Sequence, residues 1–264
     1  MRIVTLLTDF GSRDGFVGVM KGILWSRAPH CQVVDLTHEI EPGDIRSAAF
    51  VLFNAHRWFP PGTVHVVVVD PGVGSPRPAL AVRTARAWYV GPDNGVLSWA
   101  LRGQKLWTIR RIENKALFLH PVSQTFHGRD VFAPVAAYLA GGGHAEKLGP
   151  VVREWQQIPW PEPIQHDNTW RGEILYVDRF GNALTNLPHS LPGWNRPFLF
   201  LVRGKTTVRF PAGRFYAEVP RGKPIAVPGS SGFWELALHG DSAARRFGLA
   251  PGDPVRLVPA HKGM

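Results

Sequence analysis

Apolar runs and helix-like segments alternate along the first half of the chain. Ile3–Thr8 is an apolar run that predicts a buried strand, and residues 15–28 have the pattern of a helix that ends before Pro29. A second short strand is predicted at residues 33–36. This alternation of strand and helix indicates an α/β arrangement.

The alternation continues through the middle of this half. Asp44 is well placed to cap a helix whose apolar residues recur with helical spacing. Residues 64–69 are almost all apolar, as in strands covered on both faces within a parallel sheet. Three further segments have strand or helix patterns: 80–84, 88–90 and 131–140. We therefore predict an N-terminal α/β sandwich domain with a central, mostly parallel sheet at residues 1–155.

The pattern changes beyond this point. Residues 156–171 are rich in proline and predict a stiff linker. Short β-like runs then lie between glycine and proline turns, at 173–177, 198–202, 206–210, 225–227 and 255–258. Because helical spacing is poor in this region, we predict a smaller antiparallel, β-barrel-like domain at residues 172–264.

Composition narrows the class of protein. The net charge of +10 favours a nucleic-acid or anionic partner in general, but the basic residues are scattered and aromatic residues are not interleaved with them. We therefore expect no nucleic-acid partner. Cys31 is the only cysteine, which excludes an intrachain disulfide. No apolar run is long enough to span a membrane and no signal-peptide pattern is present, so we expect a cytoplasmic protein without a membrane partner.

Three aspartates each follow a predicted apolar strand: Asp9, Asp70 and Asp178. Ligands of open α/β sheets bind beyond the carboxyl ends of the strands, so we expect Asp9 and Asp70 to line one crevice. Forming turns and capping helices are the ordinary roles of such aspartates. Asp70 stands out because it opens a stiff, glycine-containing loop that returns Arg77 seven residues later.

His127 is a second candidate for chemistry. A glycine beside it permits close backbone approach, and the charged residues that follow could tune its pKa. A lone histidine is more often structural than catalytic. The other histidines show no metal-ligand spacing, so we expect no metal site.

Six short segments occur here in one order: 8–11, 70–77, 91–95, 125–130, 177–182 and 229–235. Together they resemble the S-adenosylmethionine hydroxide adenosyltransferase family, which is related to fluorinating and chlorinating enzymes, and the resemblance covers nearly the whole chain. It implies that S-adenosylmethionine is the substrate, that no further cofactor is used, and that water attacks the ribose C5′ carbon to give adenosine and methionine.

The resemblance also implies roles for individual residues. Asp70, Arg77 and His127 correspond to the water-activating groups, and the halogenating relatives carry other residues at positions 70 and 127. Substrate contacts are implied at seven further positions: Asp9 (to the ribose hydroxyls), Asn94, Asp178, Phe180, Asn182, Ser230 and Glu235. A homotrimer with active sites between subunits is implied as well. Gly43 stands where the fluorinating enzyme has a tryptophan, and the turn at Asp178 is one residue shorter.

Three alternatives stay open from the sequence. The first is a transferase of the same fold that uses a halide as its nucleophile. The second is a basic nucleic-acid-binding protein with the C-terminal β domain as its platform. The third is a protein that binds S-adenosylmethionine or adenosine with only vestigial activity.

Overall fold

The computed structural model describes residues 2–167, 169–191, 198–203 and 206–258. The chain divides into two compact units, Met1–Pro159 and Trp160–Met264. The residues predicted as a linker are shared between them. Ile158 donates a backbone hydrogen bond to Ser98 Oγ (3.1 Å) within the first unit, whereas residues 164–166 form a strand of the second. The domain limits 1–155 and 172–264 stay predictions.

The first unit contains a six-stranded sheet. Its strands are β1 (Ile3–Thr8), β2 (Gln32–Thr37), β3 (Val64–Val68), β4 (Ala79–Thr84), β5 (Trp88–Pro92) and β6 (Leu106–Arg111). Their order is β2-β1-β3-β5-β4-β6. The pairs β1–β2, β1–β3 and β3–β5 are parallel, whereas β4 is antiparallel to β5 and β6. The mostly parallel central sheet is confirmed; β6, a half-exposed edge strand, was not predicted.

Helices cover both faces of this sheet. They are α1 (Phe16–Arg27), α2 (Ile45–Ala55), α3 (Ser98–Leu101) and α4 (Ala133–Ala140). Val66 and Val68 of β3 belong to the apolar cluster that contains residues of α1 and α4, whereas Val67 belongs to the cluster that contains residues of α2 and α3. Successive strand residues point to opposite faces, so an almost entirely apolar strand is what a sheet between two helical layers requires. The predicted α/β sandwich is confirmed.

Two local features of this unit bear on the site. Asp44 caps α2, because its carboxylate accepts a hydrogen bond from Ser47 N (2.9 Å), as predicted. The helix predicted from residue 131 begins earlier, since a π-helical turn at Gly128–Phe132 leads directly into α4. Such turns within helices are rare and are often found at functional sites.

The second unit is built on an eight-stranded antiparallel sheet. Its strands are β7 (Ile164–His166), β8 (Thr169–Val177), β9 (Ala183–Pro188), β10 (Phe198–Arg203), β11 (Thr206–Pro211), β12 (Pro224–Pro228), β13 (Phe233–Leu238) and β14 (Pro254–Val258), followed in the order β11-β10-β14-β8-β9-β13-β12 with β7 paired to β8. Gly213 N donates to Ala226 O (2.8 Å), which joins the end of β11 to β12. The predicted antiparallel β domain is confirmed, and its barrel-like closure stays a prediction. A short helix, α5 (Ala243–Phe247), precedes β14. Within the described residues, no helix is both long and apolar enough to cross a membrane.

Two neighbouring histidines, the buried His65 and the half-buried His56, lie within the first unit. His65 Nδ1 is 2.8 Å from Thr5 Oγ1, and His56 Nδ1 is 2.9 Å from the hydroxyl of Tyr89. Burial lowers the pKa of His65 to about 3 and that of His56 to about 4, because charged imidazolium is poorly solvated in the interior. Both rings are therefore neutral at neutral pH.

We expect the free energy of unfolding to fall as the pH is lowered from 6.5, the ordinary imidazole pKa, towards about 4. In this range the unfolded chain binds protons at His56 and His65, whereas the folded chain does not. Urea unfolding at several pH values measures this dependence. The His65→Gln variant should lose stability less steeply on acidification, and His30→Gln, at an exposed histidine, should keep the wild-type slope. A wild-type slope in His65→Gln would contradict the assignment.

Candidate active site

A small cavity lies at the carboxyl ends of two neighbouring parallel strands. Asp9 directly follows β1, and Asp70 follows the end of β3 by two residues. Both side chains line a cavity of about 50 Å³, together with His127 from the start of the π-helical turn. The structure thus brings together three of the residues singled out from the sequence.

Arg77 links the other two catalytic candidates. Its Nε donates to Asp70 Oδ1 (2.8 Å) and its Nη2 donates to Asp70 Oδ2, which makes the pair bidentate. The same Nη2 lies 3.0 Å from His127 Nδ1. Both members of the ion pair are largely buried, with 4% of the Asp70 side chain and 11% of the Arg77 side chain exposed. The guanidinium also packs over the ring of Phe132 at 5.5 Å, which fixes its plane.

Glycine allows the loop that carries Asp70 and Arg77 to approach the segment before His127. Gly74 has φ +78°, and a Cβ at this position would lie 2.3 Å from the carbonyl oxygen of Gln124. Any other residue would therefore push the loop away from this segment. The contact between Arg77 and His127 depends on this close backbone packing.

The hydrogen bond from Arg77 fixes the tautomer of His127. A guanidinium has donors only, so Nδ1 must be the acceptor, and a neutral ring then carries its proton on Nε2. Burial lowers the pKa of His127, and the charge of Arg77 lowers it further, against the opposing effect of Asp70 and Asp130. The ring is thus held neutral with an N–H donor at Nε2.

Asp9 and Asn94 differ in how their side chains are used. Asp9 Oδ2 accepts a hydrogen bond from Gly43 N (2.8 Å), whereas Oδ1 has no partner in the described part of the chain. Asn94 donates to the carbonyl oxygen of Val69 (2.9 Å) and accepts from Val96 N (3.1 Å). The Asn94 side chain therefore holds the backbone next to Asp70, and it is not among the residues that line the small cavity.

The second unit has a larger cavity of its own, of about 710 Å³. All five residues that the sequence pointed to in this unit line it: Asp178, Phe180, Asn182, Ser230 and Glu235. The structure thus gathers residues from three separate segments of the sequence, at 178–182, 230 and 235, around one space.

The carboxylate of Asp178 organises one wall of this cavity. Its Oδ1 accepts from the backbone N–H groups of Phe180 (2.9 Å) and Asn182 (2.8 Å), and its Oδ2 accepts from Asn182 Nδ2 (3.0 Å). Gly181 completes the turn with φ +82°, where a Cβ would overlap Ser242. The turn leaves the ring of Phe180 77% exposed, which is an apolar face for a planar ligand.

Charge in this cavity favours a cation. Asp241 is paired with Arg245 (3.4 Å), but neither Asp178 nor Glu235 has a cationic partner in the described residues. Burial raises the pKa of Glu235, a hydrogen bond from Tyr216 opposes this shift, and the nearby charge of Asp178 adds to it. A bound cation would relieve this repulsion, so the cavity has the electrostatics of a site for a positively charged ligand.

Comparison with known proteins places both units in one family. A family model described as the SAM hydroxide adenosyltransferase N-terminal domain matches residues 4–149, and the model for the C-terminal domain of the same family matches residues 172–256. The chain belongs to the SAM hydroxide adenosyltransferase family.

Individual members of the SAM hydroxide adenosyltransferase family and their relatives agree with this placement. A protein of Thermus thermophilus named (R)-S-adenosyl-L-methionine hydrolase is 44% identical, over 98% of this chain and 100% of its own length. A fluorinase of Actinopolyspora mzabensis is more distant, at 24% identity over 97% of each chain. A crystal structure of an uncharacterized conserved protein from Thermotoga maritima superposes with a TM-score of 0.90 at 34% identity, covering 97% of this chain and 99% of that one.

Several residues that line the larger cavity were not singled out from the sequence, Tyr216 among them. Tyr216 lines the cavity, and its hydroxyl donates to Glu235 Oε2 (2.9 Å). Burial raises the pKa of Tyr216, and this hydrogen bond and the nearby carboxylates raise it further. Nothing in the local pattern around residue 216 pointed to chemistry. In the described residues, no three His, Cys, Asp or Glu side chains are grouped as a metal ion would need.

Proposed function

We propose that this protein hydrolyses S-adenosyl-L-methionine to adenosine and L-methionine, using a water molecule activated by Asp70, Arg77 and His127. The observation that carries the proposal is the single guanidinium of Arg77 bound to both Asp70 and His127 beside a cavity. Support also comes from the Thermus relative named (R)-S-adenosyl-L-methionine hydrolase. We propose that the reaction uses no cofactor beyond the substrate. We also propose a cytoplasmic location, which cell fractionation would test.

The part of the reaction that most needs catalysis is activation of the nucleophile, the attacking water. The water oxygen forms a bond to the ribose C5′, the C5′–S bond breaks, and its electron pair returns to sulfur. Methionine leaves as a neutral thioether, so the leaving group requires no general acid. Bulk water has a pKa of about 15.7, so the site must favour hydroxide over water.

We assign Asp70 as the acceptor of the water proton. Because Arg77 occupies His127 Nδ1, the neutral imidazole offers its Nε2–H as a donor and orients the water rather than deprotonating it. Each oxygen of Asp70 accepts one hydrogen bond from Arg77 and keeps a further lone pair for the water. The positive charge of Arg77 favours the developing hydroxide.

Substrate binding is assigned to the carboxylates that take no part in activating the water. We propose that Asp9 accepts hydrogen bonds from the ribose hydroxyls, and that Asp178 and Glu235 attract the cationic methionine part. Phe180 offers its exposed ring to a planar group, and Asn182 and Ser230 offer hydrogen bonds in the same cavity. Asn94 is better described as a positioning residue, since its side chain supports the backbone beside Asp70.

We expect kcat to fall as the pH drops below the ordinary imidazole pKa of 6.5. The pKa of His127 is lowered from that value, so its acid limb lies below pH 6.5. Protonation would place an N–H at Nδ1 against the Arg77 donor and break the hydrogen bond. In the His127→Asn variant, whose amide oxygen can still accept from Arg77, the residual kcat should lack this limb. Persistence of the limb at the same pH would assign it to another group.

Product analysis in H₂¹⁸O tests the proposed reaction. The protein is incubated with S-adenosylmethionine in labelled water that also contains chloride and fluoride, and products are separated by liquid chromatography with mass spectrometry. We expect adenosine with ¹⁸O at its 5′ oxygen, and unlabelled methionine. Formation of 5′-halo-5′-deoxyadenosine would instead support halide transfer, and binding without turnover would support the vestigial alternative.

We further propose a homotrimer in which Asp70 and Asp178 that serve one substrate molecule come from different subunits. The proposal rests on the family resemblance and on closed symmetric assembly being common among soluble proteins. Co-expression of Asp70→Asn and Asp178→Asn chains tests it. Mixed oligomers should recover part of the wild-type activity because some sites would combine two intact contributions. If verified mixed oligomers show no activity, both residues of a site must come from one subunit.

A further inference from the structure

A second polar cavity lies at the opposite end of the first unit's sheet from Asp9 and Asp70. Arg2 precedes β1 and Trp88 begins β5, and these two parallel-running strands start at this end. The cavity has a volume of about 180 Å³ and is lined by three arginines: Arg2, Arg83 and Arg86. The described residues that line it include no aspartate or glutamate.

Each arginine is held by a contact that leaves donors free. Arg2 Nη1 donates to the carbonyl oxygen of Leu139 (2.7 Å), and Arg86 Nη2 donates to that of Phe59 (3.3 Å). A guanidinium has five N–H donors, so several remain on each side chain. None of the three arginines forms an ion pair in the described part of the chain.

Arg83 is positioned in a different way. Its guanidinium lies 5.3 Å from the ring centroid of Trp88 and 5.0 Å from that of Trp107. Contacts with the ring faces hold the plane of the guanidinium without using its N–H groups, which point outward in that plane. Arg83 is thus oriented by aromatic rings while its hydrogen-bonding edge stays available.

The turn that carries two of the arginines is rigid. Thr84 is buried, and its hydroxyl accepts from Arg86 N (3.3 Å) and Ala87 N (3.2 Å). Thr84 N also donates to Ala87 O (2.9 Å), which closes the connection between β4 and β5. Arg83 and Arg86 therefore project from a tightly bonded hairpin. Its backbone loses little conformational entropy when a ligand binds.

Three arginines line this one cavity without a lining carboxylate, and an anion would offset the repulsion between their positive charges. We propose that this cavity binds a phosphate group through Arg2, Arg83 and Arg86, as a site separate from the hydrolytic one. Arginine forks match the oxygen geometry of phosphate. The volume exceeds the ~30 Å³ that one water occupies in the liquid, so a tetrahedral anion has room.

The phosphate could belong to a free anion or to a nucleic-acid backbone. Trp107, which packs on Arg83, is 53% exposed, and Trp58, next to the residue that holds Arg86, is 74% exposed. Exposed aromatic rings beside arginines are the pattern on which bases of single strands stack. A free anion and a nucleic-acid backbone both present a phosphate group to the arginines, and separate titrations with each distinguish the two sources.

Binding of inorganic phosphate, measured by isothermal titration calorimetry at constant ionic strength, tests the site. Wild-type protein should bind it saturably, and Arg83→Ala and Arg86→Ala should each weaken binding about tenfold or more, as loss of a charge-assisted hydrogen bond implies. Arg153→Ala removes the same charge from an exposed arginine that does not line the cavity, and should bind as the wild type does. Unchanged hydrolysis and thermal unfolding verify that each variant folds.

A parallel titration with a fluorescent single-stranded oligothymidylate identifies the source of the phosphate. Tighter binding of the oligonucleotide than of phosphate, lost in the Arg83 and Arg86 variants, would support the site and identify a nucleic-acid backbone. Binding of phosphate alone would support the site and identify a small anion. Absence of saturable binding to either, or an equal loss in Arg153→Ala, would overturn the proposal.

Discussion

Replacing Asp70 with asparagine should lower kcat for S-adenosylmethionine hydrolysis by about 10²–10⁴-fold while changing substrate affinity little. General-base catalysis typically contributes an effect of this size, and the amide can no longer take the proton of the water. His127→Ala should act in the same direction by removing the donor that orients the water. Steady-state kinetics, with substrate affinity measured separately by calorimetry, would check both variants.

Stability has to be separated from chemistry in this experiment. Asp70 and Arg77 form a largely buried pair, and removing one partner of such a pair commonly costs about 3–5 kcal/mol. Thermal unfolding of Asp70→Asn therefore accompanies the kinetics. Asp35→Asn makes the same chemical change at a partly exposed ion pair with Lys21 and should keep wild-type turnover. Wild-type turnover in folded Asp70→Asn would refute the role assigned to this carboxylate.

Replacing Asp178 with alanine should raise KM by about 10- to 100-fold with a much smaller change in kcat. The carboxylate has no cationic partner in the described residues, and its three hydrogen bonds shape the turn that presents Phe180 and Asn182. Loss of a charge-assisted interaction of about 1.5–3 kcal/mol corresponds to such a factor. Asp9→Ala should likewise weaken binding, through the ribose hydroxyls.

The same cavity supplies a matched control for Asp178. Asp241 also lines it, but Arg245 already neutralises that carboxylate. Asp241→Ala should therefore raise KM far less than Asp178→Ala. Equal effects of the two substitutions would mean that the cavity responds to total charge and not to the Asp178 turn. A fall in kcat without a rise in KM would indicate that Asp178 acts in the chemical step and not in substrate binding.

Charge is distributed unevenly in this basic chain. The substrate proposed here carries a sulfonium cation, yet the net charge is +10. The cavity lined by Asp178 and Glu235 resolves this conflict locally, because attraction over a few ångströms outweighs a screened long-range field. The arginines at the far end of the first unit's sheet supply part of the positive charge, away from Asp9 and Asp70.

Local sequence patterns predicted those elements that follow from the burial of a strand or the capping of a helix. The apolar run at β3 predicted a strand covered on both faces, and Asp44 predicted the start of α2. The edge strand β6, whose side chains are half exposed, was missed, and so were the inner strands β9 and β13 of the second sheet. The π-helical turn before α4 also has no sequence pattern that distinguishes it from an ordinary helix start.

The candidate site was predictable only in pieces. Strand ends pointed to Asp9 and Asp70, but spacing alone could not place His127 on Arg77, because the two are 50 residues apart. Their contact depends on Gly74 packing against the backbone of Gln124, which no local pattern reveals. The family resemblance joined these residues. It did not reveal Tyr216, whose role depends on a tertiary hydrogen bond to Glu235.

In the proposed reaction, the ribose C5′ meets a water held by Asp70, Arg77 and His127. A crystal structure of the Asp70→Asn variant with intact S-adenosylmethionine would show whether it does, because slow turnover preserves the substrate. We predict that C5′ faces residue 70, with a water in line with the C5′–S bond and with Asp9 at the ribose hydroxyls. A ligand whose C5′ points away from this cluster, or one bound elsewhere, would refute the roles proposed for these three residues.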